Sequence, residues 1–173
     1  MAEEDLIIEK TIQYDGVYEF KEVYATLSDV LITFGYDIKE KKQVLKSKGS
    51  SRSHEVEWEC TRNVDKYTRF LIKFKIKANV SDTSVEEGGK KMPKESGDLK
   101  VEIKSSLVTD YAGRWEGSPY SRFLKSFFDR FLYGKKASAS LSSGTYKQWI
   151  VKLSSETQTV IDELKALLHL YKV

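Results

Sequence analysis

Residues 53–80 contain two stretches in which apolar and charged residues alternate strictly. The first stretch, 54–60, keeps its acidic residues on one face, at Glu55, Glu57 and Glu59. The second stretch, 69–80, keeps its basic residues on one face, at Arg69, Lys73, Lys75 and Lys77. Because successive side chains of a strand point to opposite faces, the pattern predicts two antiparallel strands with one buried and one exposed face.

A short turn at Asn63–Asp65 is expected to join these strands into a hairpin. Folding the chain about Val64 pairs Glu59 with Arg69 and Glu55 with Lys73, which predicts a ladder of cross-strand ion pairs. The pattern thus predicts a fold class and a register, but it indicates no particular chemistry.

The other elements follow from the periods of the apolar residues. Residues 6–14 alternate, with Leu6, Ile8, Ile12 and Tyr14 on one face, and predict a strand. From Glu19 to Phe34 the apolar spacing is three and four, which predicts a helix that ends at Gly35. Residues 36–48 and 99–111 predict two further strands. The polar segment 81–98 is expected to be flexible, although Gly88 and Gly89 suit a small hairpin turn.

Two helices are predicted after the last strand. Ser118 and Pro119 are a capping residue and a first-turn proline, and they predict a helix over 120–133 that ends at Gly134. The pattern from Tyr146 to Tyr171 predicts either one long helix or two helices with a break near Ser154. We therefore predict a single α+β domain, 1–173, with a curved antiparallel sheet of five or six strands packed against helices and a long C-terminal helix.

Composition excludes several classes of protein. The chain has 173 residues, 40% hydrophobic and 32% charged, which is typical of a globular domain. No apolar stretch approaches the roughly 20 residues of a membrane span, and the acidic N-terminus does not resemble a secretory signal. A single cysteine rules out an internal disulfide framework. We expect a cytoplasmic protein.

The usual signatures of catalytic and cofactor sites are missing. His54 and Cys60 share a strand face, but six residues of strand separate them by about 20 Å, too far for a thiol–imidazole pair. Metal-ligand spacings and phosphate-binding glycine loops are also absent. We therefore expect no cofactor, no metal and no enzymatic activity. Nucleic acid is not an expected partner, because no recognition-module motif is present.

The charge is unevenly distributed along the chain. Residues 1–33 hold eight acidic against two basic residues, whereas 119–136 hold five basic residues and only Asp129. Solvated faces explain such runs, but so does a contact between acidic and basic surfaces of neighbouring copies.

The helix predicted over 120–133 is unusually aromatic. It is either an ordinary buried helix or an exposed patch that contacts another subunit or lines a ligand cavity. The interaction candidates are its aromatic and basic residues and the preceding tryptophan: Trp115, Tyr120, Arg122, Phe123, Lys125, Phe127, Phe128, Arg130 and Phe131. If the patch is exposed, we expect Phe123 and Phe128 to anchor the contact and the basic residues to meet the acidic N-terminal third of a neighbouring copy.

Element order resembles that of the helix-grip, or START-like, domains, in which a curved sheet is crossed by a long C-terminal helix. This resemblance implies an internal site for a lipid or another small hydrophobic ligand. The sequence departs from that plan, because it has one helix instead of two after the first strand and an additional aromatic helix before the last one. That additional helix could occupy the cavity.

A second resemblance rests on short motifs. KTIQYDGVYEFKEVY, GYD, EVEWE, DY and RWE look like an uncharacterised family of small proteins in reduced-genome archaea. The motif residues are Tyr14, Gly16, Gly35, Tyr36, Asp37, Glu57, Trp58, Asp110, Tyr111, Trp115 and Glu116. The resemblance implies no activity, and the sequence assigns no structural role to Asp110, Tyr111, Trp115 and Glu116.

The sequence favours a protein that acts by self-association or by docking to another protein through the aromatic and basic helix. The alternative is a carrier of a small hydrophobic ligand. An apolar cavity between the sheet and the helices would distinguish the two functions, because it favours the carrier.

Overall fold

In a computed structural model, five antiparallel strands form one open sheet. The structure describes residues 2–113, 118–127 and 145–168. The strands are β1 (Glu3–Val17), β2 (Asp37–Lys48), β3 (Ser51–Asn63), β4 (Thr68–Glu87) and β5 (Lys90–Thr109). Their order in the sheet is β1-β5-β4-β3-β2, so β1 and β2 are the two edge strands. The predicted α+β class with an antiparallel five-stranded sheet is confirmed.

The helices are α1 (Phe20–Thr33), α2 (Pro119–Phe127) and α3 (Thr145–Leu167). Helix α1 ends near the predicted glycine: the Gly35 N–H donates to the carbonyl of Ile32, and Gly35 has a φ of +85°, which favours glycine. Helix α3 runs through Ser154 without a break, so the long C-terminal helix is confirmed as one element.

The β3–β4 hairpin forms as predicted, but the predicted register is wrong. Glu59 lies opposite Lys73 and Arg69 opposite Asn63, whereas we expected Glu59 to face Arg69. The reason is a longer connection, because the Asp65 carboxylate accepts hydrogen bonds from the N–H groups of Tyr67 and Thr68 and holds residues 64–67 as a loop. The shift moves the pairing by an even number of residues, so every side chain keeps its predicted face.

Residues 81–98, which we expected to be flexible, extend β4 and β5 into a two-stranded arm. Strand β3 stops pairing with β4 at Ser81, and β1 stops pairing with β5 at Ser96, while β4 and β5 continue to the pair Glu87–Lys90. Gly88 and Gly89 close the arm with φ angles of +58° and +78°. Positive φ at both central residues is the requirement of a type I′ hairpin turn, so the two glycines act as a turn signal here.

Strand β1 contains an irregularity that changes the face of its first residues. The register with β5 shifts between Leu6 and Ile8, and Leu6 is left 54% exposed, whereas Ile12 is buried. We predicted Leu6 on the same face as Ile12. A bulge inserts one extra residue, which reverses the alternation on its far side.

The hydrophobic core lies between the inward face of the sheet and helices α1 and α3. The sheet contributes alternate residues of its three central strands, among them Trp58, Phe74 and Ile103. Helix α1 buries one side, at Val23, Leu27 and Leu31, and α3 buries another, at Leu153, Val160, Ile161 and Leu164. The three-and-four spacing of these helical residues is the amphipathic pattern that lets each helix cover a sheet.

Candidate protein-interaction surface

Helix α2 begins where the sequence predicts it. The Ser118 Oγ accepts a hydrogen bond from the N–H of Ser121 at 3.1 Å and thus caps the first turn, and Pro119 is the first helical residue. A serine cap satisfies one of the N–H groups that a helix start leaves without an intrahelical acceptor. The described part of the helix ends at Phe127.

One face of α2 carries three aromatic side chains, which we call the aromatic row: Tyr120, Phe123 and Phe127. Their exposed fractions are 70%, 65% and 48%. At 100° per residue these positions fall within about 60° of one another around the helix. Leu124 is only partly exposed and lies further round the helix. Single exposed apolar residues are common, but three exposed rings on one helical face form a candidate interaction surface.

The opposite side of α2 is held to the body of the protein by Lys125. Its Nζ lies 3.3 Å from Glu3 Oε1 and 3.8 Å from Asp110 Oδ2, and its side chain is 13% exposed. Glu3 belongs to the acidic N-terminal strand that we expected to meet Lys125 in a neighbouring copy. The structure instead brings Lys125 to the acidic strand of its own chain, and this contact fixes which side of α2 faces outward.

Asp110, which had no assigned role, is part of this anchor. It is 2% exposed and has a φ of +53°, a conformation that aspartate tolerates better than most residues. Its N–H donates to the carbonyl of Tyr67 at 2.8 Å, and its own carbonyl accepts from the N–H of Gly113 at 2.9 Å. These bonds end β5 in a defined geometry and turn the carboxylate toward Lys125.

The next residue, Tyr111, also has structural contacts. The guanidinium of Arg69 lies 4.3 Å from the centre of its ring, and its hydroxyl donates to the carbonyl of Asp65. The first contact is with β4 and the second with the β3–β4 loop, so Tyr111 joins the end of β5 to both.

A second acidic residue of β1 receives a bond from the start of α3. The Tyr146 hydroxyl donates to Asp5 Oδ2 at 3.0 Å. Burial, then the bond to Asp5, raises the pKa of Tyr146. Sequence reasoning missed Glu3, Asp5, Asp110 and Tyr146 as one group because they lie far apart in the chain. The acidic bias of residues 1–33 was the only signal.

Of the remaining interaction candidates, one is described by the structure and four are not. Arg122 is exposed, and at 100° per residue it lies about 100° round the helix from Phe123 and about 160° from Tyr120. Four residues lie outside the described part of the chain: Trp115, Phe128, Arg130 and Phe131. Glu116, the other residue without an assigned role, lies outside it as well.

The acidic row of β3 is paired with lysines on both neighbouring strands. Glu55 lies 3.0 Å from Lys42, Glu59 3.6 Å from Lys41, and Glu57 3.8 Å from Lys75. These are exposed ion pairs, each of which contributes at most about 1 kcal/mol. They account for the charge pattern of the hairpin without a ligand.

Two cavities bear on the alternative of a hydrophobic-ligand carrier. One, of about 340 Å³, lies on the outer face of the sheet, and seven of its nine lining residues are charged. The other, of about 520 Å³, lies between the start of α1, the base of the arm and the end of α3. It has apolar walls at Val17, Val23 and Leu167, but six of its lining residues are charged: Glu19, Glu22, Arg52, Asp82, Lys94 and Glu95. Neither cavity has the apolar lining that a lipid carrier requires.

Within residues 2–113, 118–127 and 145–168, no group of three or more histidine, cysteine, aspartate or glutamate side chains is arranged to hold a metal ion. None of the helices described is both long and apolar enough to cross a membrane. No protein-family model matches the sequence, and comparison with curated proteins also gives no match.

Proposed function

We propose that this protein acts by binding and not by catalysis, and that it associates with another copy of itself through the aromatic row of α2. One observation carries the proposal: Tyr120, Phe123 and Phe127 expose 70%, 65% and 48% of their surface on one helical face. Transfer of such rings from water into a contact is favourable, and aromatic residues supply much of the binding energy of protein interfaces.

The anchoring of α2 supports this proposal. Lys125 contacts Glu3 and Asp110 on the inner side of the helix, so the aromatic row is presented outward by a helix with a fixed orientation. A surface held in place before binding loses less conformational freedom on association than a mobile one does.

The carrier of a small hydrophobic ligand is the weaker proposal. The helix-grip resemblance places such a ligand between sheet and C-terminal helix, where fully buried side chains such as Leu153, Ile161 and Ile103 now lie. The cavity of about 520 Å³ at the mouth of this layer is largely charged, which disfavours a wholly apolar ligand.

The test is sedimentation velocity of the purified chain over a wide concentration range, with a matched pair of variants. Phe123→Ser removes the central ring of the row, whereas Ile32→Ser removes a side chain of similar exposure, 61%, from α1. We expect wild-type association to rise with concentration and Phe123→Ser to weaken it about tenfold or more, since truncating an interface aromatic commonly costs about 2 kcal/mol. The Ile32→Ser variant should associate like the wild type.

Thermal melting of the same samples separates binding from stability. Phe123 is mostly exposed, so its substitution should leave the melting temperature nearly unchanged. A wild type that stays monomeric at every concentration contradicts the proposal. So does an equal loss of association in both variants, or unfolding of Phe123→Ser.

A further inference from the structure

We propose that the cavity of about 520 Å³ between the start of α1, the base of the arm and the end of α3 binds a small aliphatic polyamine. None of the described residues that line this cavity belongs to α2, so the site does not depend on the proposed self-association. Its volume falls within the roughly 300–1,000 Å³ of small-molecule sites in proteins. Its walls combine apolar and charged side chains, which fit a ligand that has both kinds of surface.

The apolar part of the lining comes from three different elements. Val17 ends β1, Val23 lies in α1, and Leu167 ends α3. Tyr18 adds an aromatic ring, whose hydroxyl donates to the carbonyl of Asp98 at 2.8 Å. An alkyl chain that lies against these walls releases water from apolar surface, which favours binding.

The charged part of the lining has an excess of negative charge. Four of its six charged residues are acidic and two are basic. Arg52 is already paired with two of the acidic residues, because its Nη2 lies 2.5 Å from Asp82 Oδ1 and 2.6 Å from Glu95 Oε1. One guanidinium thus holds two carboxylates, so these three residues are themselves net negative. The cavity therefore favours a cationic ligand.

Glu19 and Glu22 supply the other two acidic groups. Both are exposed at the start of α1, and neither forms an ion pair with any residue that the structure describes. An ammonium group has three N–H donors, and its hydrogen bonds to carboxylates are stronger than those between neutral groups. Ammonium groups joined by an alkyl chain use both the acidic and the apolar walls, whereas a bare metal ion uses only the acidic ones.

The walls of the cavity are held in place by Glu95, which joins the arm to α1. Its Oε2 accepts a hydrogen bond from the N–H of Phe20 at 3.3 Å, and its carbonyl accepts one from the N–H of Tyr18 at 3.1 Å. The Glu95 side chain is only 19% exposed. A site that is held in this way loses little conformational freedom when a ligand binds.

Isothermal titration calorimetry of the purified chain with spermidine tests the proposal. We expect a single class of site that binds one spermidine per chain. An uncharged aliphatic diol of the same chain length should bind about tenfold more weakly, because it lacks the charge-assisted hydrogen bonds. Magnesium ions, which carry charge but no alkyl chain, should also bind more weakly. Both comparisons use the wild type alone, so they decide the ligand class even where a variant does not fold.

A matched pair of variants tests the location of the site. Glu22→Gln removes a carboxylate from the cavity, whereas Glu163→Gln removes an exposed carboxylate of α3 that is not among the lining residues. We expect Glu22→Gln to weaken spermidine binding about fivefold and Glu163→Gln to leave it unchanged. Val17→Trp should weaken it as well, because Val17 is 44% exposed and a larger side chain there fills part of the cavity. Thermal melting checks that each variant is folded.

Four results would overturn the proposal. Equal weakening by the two glutamine variants indicates diffuse binding of counter-ions to acidic surface. Magnesium or the diol binding as tightly as spermidine shows that the ligand class is wrong, and unchanged binding by folded Val17→Trp shows that the ligand lies elsewhere. A wild type that binds no spermidine also overturns it. These results leave the sedimentation of Phe123→Ser unaffected, so the proposed self-association is tested separately.

Discussion

At the scale of single residues, Cys60 shows how burial makes a reactive residue type inert. Its side chain has no exposed surface and lies on the inward face of β3. Burial raises the pKa of the thiol to about 12. Because the thiolate is the nucleophile, a thiol with this pKa has almost no reactive form at neutral pH. Full burial and the raised pKa both disfavour a nucleophilic role for Cys60.

We therefore predict that native protein does not react with thiol reagents at neutral pH and that one thiol per chain reacts after unfolding. A chromogenic disulfide reagent, with and without denaturant, measures this. Ser47→Cys on the exposed edge of β2 is the control and should react at once in the native state. Rapid labelling of Cys60 in folded wild type contradicts the prediction.

At the scale of elements, a polar cluster fastens α3 to the end of the sheet; we call it the Arg62 latch. An Arg62 Nη2 lies 2.8 Å from Glu156 Oε1, and the Tyr36 hydroxyl donates to Glu156 Oε2 at 2.8 Å. Arg62 also donates to the carbonyl of Phe34, at the end of α1. Its guanidinium lies 5.0 Å from the ring centre of Tyr36 and 5.1 Å from that of Phe70. One arginine therefore joins β3, α1 and α3.

Breaking this latch from either side should be costly, because the remaining charge stays buried. The side chains of Arg62 and Glu156 are only 19% and 10% exposed. We predict that Arg62→Met and Glu156→Gln each lower the free energy of unfolding by about 2–3 kcal/mol. The double variant should lose at least about 1 kcal/mol less than the sum of the two.

Denaturant unfolding of the four proteins in this cycle measures the coupling. The matched control is the exposed pair Lys42 and Glu55, whose coupling should not exceed about 0.5 kcal/mol. Additive losses at Arg62 and Glu156 show that the latch is not an energetic unit.

The same elements show what a sequence can predict. Alternation gave the faces of β3 and β4 because the side-chain period of a strand is independent of its partner. The prediction of their register was wrong because register depends on the loop, where the Asp65 side chain accepts hydrogen bonds that no hydrophobic pattern encodes. Residues 81–98 were misjudged for a related reason: they are polar, and their order comes from backbone pairing closed by Gly88 and Gly89.

At the scale of the whole molecule, α2 was the element for which sequence alone left two alternatives. Its amphipathic pattern is the same whether the rings face the core or the solvent. Which way the rings face depends on the tertiary partners of Lys125, which are Glu3 in β1 and Asp110 at the end of β5. Such long-range contacts carry no local signal, so the side of α2 that is exposed could not be predicted, although its start at Ser118 could.

The chain as a whole also has a characteristic response to pH. Burial is the largest cause that raises the pKa values of the Cys60 thiol and of the phenols of Tyr18, Tyr36 and Tyr146. At Tyr36, the hydrogen bond to Glu156 adds to this effect. In the unfolded chain these groups titrate near their ordinary pKa values of 9.0 for cysteine and 10.0 for tyrosine. The native state thus keeps protons that the unfolded state releases.

The stability that these four groups contribute is therefore fully present below pH 9 and should fall as the pH rises above it. Each retained proton steepens the loss by up to about 1.4 kcal/mol per pH unit. At acidic pH the sign reverses, because burial lowers the pKa of His54 from its ordinary value of 6.5. The native state favours the neutral imidazole, so the stability that His54 contributes is lost as the pH falls below 6.5. We predict that stability is constant between these two pH limits, which is measured as the denaturant midpoint against pH. A wild-type midpoint that is unchanged up to pH 11 would show that the buried phenols and thiol do not couple to folding.

The variant Tyr36→Phe should lower the midpoint in this constant region and make its fall at alkaline pH less steep.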